Sequence, residues 1–95
     1  MNATYILHSK KLNKFYIGAT HEGIESRIQK HNNQQYGLNK FTAKADDWEL
    51  FLFISTDDYA HAIRIERKIK AMKSAKFILK LKENNDLREW LVSST

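Results

Sequence analysis

The chain has 95 residues, 42% of them hydrophobic and 28% charged, with no cysteine and no proline. That length supports one hydrophobic core rather than two, the balance excludes a disordered polymer, and the lack of cysteine excludes disulfides and thiolate zinc sites. The formal charge of +5 favours an acidic partner, and nucleic acid is the commonest one for a small basic domain.

Tyr5-Ile6-Leu7-His8 and Phe15-Tyr16-Ile17-Gly18 are β-branched and aromatic runs separated by a polar stretch, a pattern that predicts a hairpin. A turn centred on Lys10-Lys11 places Tyr5 opposite Tyr16 and both phenols on one sheet face. Ile24, Arg27, Ile28 and His31 then follow the i, i+3, i+4, i+7 spacing of one helical face, with Thr20 as the expected N-cap. The run from Asn32 to Gly37 ends that helix, and a loop is expected through Asp47.

Trp48 to Ile54 is apolar and short enough for a third, well-buried strand that joins the hairpin. Ser55 to Asp58 supplies caps and first-turn acids for a long helix with Ala62, Ile65, Ile69 and Met72 as its apolar stripe. Lys73-Ser74 breaks and recaps the chain before a helix with Phe77, Ile78 and Leu81 inward and lysines outward. Leu87, Trp90 and Leu91 predict a short C-terminal helix docked on the rest. No apolar run approaches the ~20 residues that span a bilayer, and no signal pattern opens the chain, so a cytoplasmic location and no membrane partner are expected.

Several side chains sit where packing alone does not explain them. Glu66 lies among Ala62, Ile63, Ile65 and Ile69, where a carboxylate needs a cation or donors; Mg²⁺ would serve, and so would Lys70 at i+4. Arg27 on the inward face either clamps a phosphate through its planar fork or snorkels out to pair with Glu22. His31, one turn on, is either a proton-transfer group or a space-filling helix residue. Tyr5 and Tyr16 are either a core aromatic pair or ligands of an attacking water. Gly18 at the strand exit admits a substrate backbone or a turn. Lys70 and Lys73, with the other lysines of the last helices, form either a phosphate-contacting surface or a solvated face.

The tripeptides Ala3-Thr4-Tyr5 and Tyr16-Ile17-Gly18, with Arg27 and Glu66 downstream, resemble the motifs of the GIY-YIG nucleases. The first tripeptide keeps only its tyrosine; the second is intact. The resemblance is closest to small bacterial single-domain members, similar to the catalytic part of the excision-repair incision subunit. It covers residues 1–82 and leaves 83–95 as a short C-terminal helical extension. It implies an α/β (α+β) fold with a three-stranded, mainly antiparallel sheet flanked by helices in the order β-β-α-β-α-α. It also implies a DNA endonuclease, with a role in repair or recombination, that hydrolyses a phosphodiester by metal-activated water. Tyr5, Tyr16, Arg27, His31 and Glu66 would be catalytic, Glu66 would hold Mg²⁺ or Mn²⁺, and Gly18, Thr42, Lys44, Lys70 and Lys73 would contact nucleic acid. DNA is the expected partner, with a second protein for targeting. The competing readings are a non-catalytic nucleic-acid-binding module that retains the fold and a protein-interaction domain that uses an exposed aromatic tail including Trp90.

Overall fold

A computed structural model describes residues 1–32 and 45–95; Thr42 and Lys44 fall outside the described residues. The two β-rich runs form β1 (Asn2–Ser9) and β2 (Lys14–Thr20), joined antiparallel. The register differs from the expected one. Ser9 still pairs with Lys14, so Tyr5 faces Gly18 and Tyr16 faces Leu7. The turn is longer because Ser9 Oγ accepts from the Leu12 N–H at 3.2 Å and Asn13 takes a left-handed φ of 51°, which asparagine tolerates. The offset is even, and with a side-chain period of two Tyr5 and Tyr16 keep the same face.

β3 (Glu49–Thr56) pairs antiparallel with the other side of β1, giving the sheet order β2-β1-β3. The strand starts one residue later than expected, and Phe51 is the extra residue where the ladder steps from Ile6/Leu52 to Leu7/Leu50. As the central strand, β1 is covered on both faces, and Ala3 to Leu7 are all buried. Its alternation divides the core. Ile6 joins Leu52, Ile54, Ile65, Ile69, Ile78, Leu81 and Leu91 on one face, while Tyr5 and Leu7 join Ala45 and Trp48 on the other.

The helix α1 (Ile24–Asn32) packs Ile24 and Ile28 on the Tyr5 face. Its cap differs from the expectation: Gly23 O accepts from Arg27 N at the helix start, whereas Thr20, the last residue of β2, uses its Oγ1 to accept from Glu22 N at 3.0 Å. Thr20 thus builds the strand-to-helix turn rather than the helix end.

The helices α2 (Tyr59–Met72), α3 (Ala75–Glu83) and α4 (Asn85–Ser94) follow β3, and α2 covers the Ile6 face. Thr4 Oγ1 donates to Ala62 O at 2.7 Å in this interface, and Ala62, Ile65 and Ile69 are buried. Asp58 caps α2 through the His61 N–H, and no acid occupies the first turn. Met72, expected on the inward stripe, is exposed because the helix has run past the sheet by its last turn. Lys73 adopts a left-handed φ of 48° and Ser74 accepts from Phe77 N, which is the break and recap the sequence predicts. Asn84 then ends α3 with its backbone N–H and caps α4 with its side chain. Leu91 of α4 is fully buried in the Ile6 cluster, and His61 Nε2 donates to Val92 O at 2.9 Å. Trp90, the middle residue of the apolar triplet, faces solvent, as the protein-interaction reading expects. Among the described residues no helix is long and apolar enough to cross a membrane.

Candidate active site

On the Tyr5 face the hairpin and α1 bring four of the five expected residues together. Tyr5 Oη lies 2.9 Å from His31 Nε2 and receives the Nε and Nη2 protons of Arg27 at 3.4 and 3.3 Å. The Tyr16 ring stands 4.7 Å from the His31 ring and 6.3 Å from that of Tyr5. The stripe spacing on α1 makes this possible: positions 27 and 31 are one turn apart and point to the same sheet face. Arg27 does not pair with Glu22, whose carboxylate is taken by Lys30 at 2.9 Å.

A guanidinium only donates, so the phenol oxygen is acceptor to Arg27, while the tautomer of His31 sets the direction of the bond to its Nε2. Burial, reinforced by the Arg27 charge, lowers the His31 pKa to about 4. The imidazole is therefore neutral at pH 7, with one ring nitrogen a donor and the other an acceptor. Arg27 also lies with its guanidinium carbon 5.9 Å from the Tyr5 ring centroid.

Gly18 has a more specific job than the strand exit predicts. A Cβ built there would lie 2.6 Å from both Cζ and Oη of Tyr5, and the residue does not take a positive φ. The Tyr5 ring covers the glycine backbone of the neighbouring strand, so the missing side chain seats the phenol. Gly18 is buried beneath it and is not open to an approaching substrate backbone.

Among the described residues no hydrogen bond or ion pair joins Glu66 to the cluster. Glu66 projects from α2, the helix on the opposite face of the sheet, and accepts from Lys70 Nζ at 2.8 Å. Its side chain is 20% exposed, so the i+4 lysine is the partner that the apolar surroundings demand. To serve as the one carboxylate of a magnesium site that draws its remaining ligands from water and phosphate, Glu66 would have to exchange Lys70 for the ion. Among the described residues no group of three or more potential metal ligands assembles. Lys70 and Lys73 are exposed, Lys73 at the left-handed helix end.

Sequence reasoning missed the residues that hold this face in place. Asn32 clamps the backbone of Trp48, accepting from its N–H at 2.6 Å and donating to its carbonyl at 3.0 Å. Trp48 is thereby set edge-on to Tyr16, with ring centroids 6.4 Å apart. Ser9 Oγ donates to Asp47 at 2.6 Å, and the Lys11 N–H meets the same carboxylate at 3.0 Å, fastening the hairpin turn to the segment before β3. These bonds, the Ser9 hydroxyl first, hold Asp47 below its ordinary pKa. An asparagine at a helix end reads as a stop signal, and nothing local distinguishes it from a long-range clamp.

A three-stranded antiparallel sheet with helices on both faces, and a Tyr-Arg-His cluster at one of them, defines a small α+β domain. The chain matches the GIY-YIG catalytic domain over residues 1–82 and belongs to that nuclease family, whose substrate is DNA. No curated protein and no solved structure matches it.

Proposed function

We propose that the protein is a metal-dependent DNA endonuclease whose chemistry is centred on Tyr16, Tyr5, Arg27 and His31. The observation that carries this is the Tyr5 oxygen held between a fixed cation and a neutral imidazole. The Arg27 charge beside that oxygen favours the phenolate, and outside such a setting a phenol is a poor base at neutral pH. Tyr5 is fully buried and Tyr16 partly exposed, which favours Tyr16 for the outer position, next to water and phosphate. Tyr5 then acts through Tyr16 and His31 as a positioning group, and the Arg27 charge stabilises the scissile phosphate.

Glu66 would hold Mg²⁺ or Mn²⁺, which supplies Lewis-acid stabilisation of phosphate charge when bound. Because α2 covers the other face and β2 is an edge strand, a phosphodiester that meets both Tyr16 and Glu66 crosses the β2 edge. Lys70 would be released from Glu66 as the metal enters and becomes available to a DNA phosphate, with Lys73 near it in sequence. A role in repair or recombination, a cytoplasmic location and a targeting protein are parts of this proposal. Thr42 and Lys44 remain candidate DNA contacts.

The test is cleavage of labelled single-stranded, duplex and flap DNA with Mg²⁺, Mn²⁺ or EDTA, by the wild type and by Tyr16→Phe and Glu66→Gln. Cutting by the wild type alone, abolished by EDTA, supports the nuclease. Equal DNA binding by all three with no cutting under any metal condition replaces it with the non-catalytic binding module.

A further inference from the structure

We propose that the outer seam between α2 and α4, centred on Trp90 and Lys68, is a binding surface for single-stranded nucleic acid. It goes beyond the nuclease reading and does not depend on it. The chain has two tryptophans, and they are placed oppositely: Trp48 is 1% exposed and Trp90 is 50% exposed. Trp90 belongs to the part of the chain after residue 82, beyond the family match. Burying the apolar face of α4 needs only Leu91 with Leu87 and Val92 beside it. Trp90 is not among the side chains packed on the Ile6 cluster.

Its neighbour is a cation. Lys68 Nζ lies 5.9 Å from the indole centroid, within reach of the ring's negative face. Lys68 shares a helical stripe with Arg64 and Arg67, all exposed, and this stripe carries no acid. The one carboxylate of α2, Glu66, is paired with Lys70. On α4 the acids near Trp90 are Asp86 and Glu89, and Glu89 accepts from Asn85. Arg64 Nε donates to Thr95 O, which ties the chain end beside the same seam.

A half-exposed aromatic ring beside Lys68, on a helix whose same stripe carries Arg64 and Arg67, matches a base stacked on a platform with its phosphates on lysine and arginine. An apolar protein partner would ask for an apolar rim, and the stripe is charged. Duplex DNA keeps its bases stacked on one another, so only an unpaired strand can use the indole. The seam belongs to the layer opposite the Tyr5–His31 cluster, which makes it a second surface rather than an edge of the first.

The test uses the full chain in EDTA, so no cleavage intervenes. An oligothymidylate of about 15 nucleotides is titrated while Trp emission and the anisotropy of the labelled strand are followed. Binding is expected to quench the solvent-exposed Trp90 emission. Trp90→Ala is expected to lower affinity roughly five- to a hundredfold for the single strand and to leave duplex binding unchanged. Lys68→Gln is expected to weaken binding and reduce the salt slope by about one. Circular dichroism checks that both surface variants remain folded. The proposal fails if Trp90→Ala binds the single strand as the wild type does, if anisotropy rises without a change in Trp emission, or if no strand binds. It also fails if Trp90 emission shifts with protein concentration alone, because a second copy then covers the indole.

Discussion

Replacing Gly18 by alanine puts one methyl group under the Tyr5 phenol. The added Cβ would lie 2.6 Å from Cζ and Oη, where ordinary van der Waals contact requires about 3.5–4 Å, so the ring has to retreat by roughly 1 Å. Tyr5 is fully buried, and such overpacking costs about 1–3 kcal/mol, a fall in Tm on the order of 10 °C for a domain of this size. The same movement stretches the Arg27 bonds to the phenol, which are already 3.3 and 3.4 Å long, past useful length. A misplacement of this size slows a positioned reaction on the order of a hundredfold. Three measurements read the change: thermal unfolding, the ¹⁵N signal of His31 Nε2, and single-turnover DNA cleavage. Gly23→Ala is the control, because a Cβ there meets nothing within 4 Å and the change is limited to roughly 0.5–1 kcal/mol of helix capping. A Gly18→Ala protein with the Tm and the His31 signal of the wild type would refute the seating argument.

His31 makes stability depend on acidity. With its folded pKa near 4 and an unfolded value of 6.5, the unfolded chain binds the extra proton between those pH values. Stability contributed by neutral His31 is therefore complete above pH 6.5 and lost as pH falls toward 4, by about 3 kcal/mol, and His31→Phe should flatten a urea-unfolding series across that window. Asn32→Ala removes both bonds to the Trp48 backbone and should cost about 2 kcal/mol, read as a lower denaturant midpoint with an unchanged slope. Leu91→Ala should cost about 2–4 kcal/mol in one cooperative transition if residues 83–95 fold with the rest; a separate early transition would show an independent tail. Mn²⁺ should raise the Tm of the wild type, while Glu66→Gln, which loses only a partly exposed ion pair worth roughly 0.5 kcal/mol, should show no metal-dependent shift. An equal shift in both proteins would remove Glu66 from the metal site.

The sequence by itself determined the elements and the faces they offer. Period-two runs at Tyr5 and Tyr16, period-3.6 spacing at Arg27 and His31, and the Lys73-Ser74 break are local signals, because backbone geometry and capping act over a few residues. The even side-chain period also protected the essential inference about the tyrosines, since the register moved by two and both phenols stayed on one face. Tertiary structure decided what each face meets. It set Tyr5 over Gly18, gave the phenol to Arg27 and His31, and placed Glu66 with Lys70 on the other side of the sheet. Asn32 reaching Trp48 and Leu91 reaching the Ile6 core are contacts between distant positions. A helical stripe shows which residues share a side, but burial and hydrogen bonding depend on the neighbour across the gap, and chain packing alone supplies that neighbour.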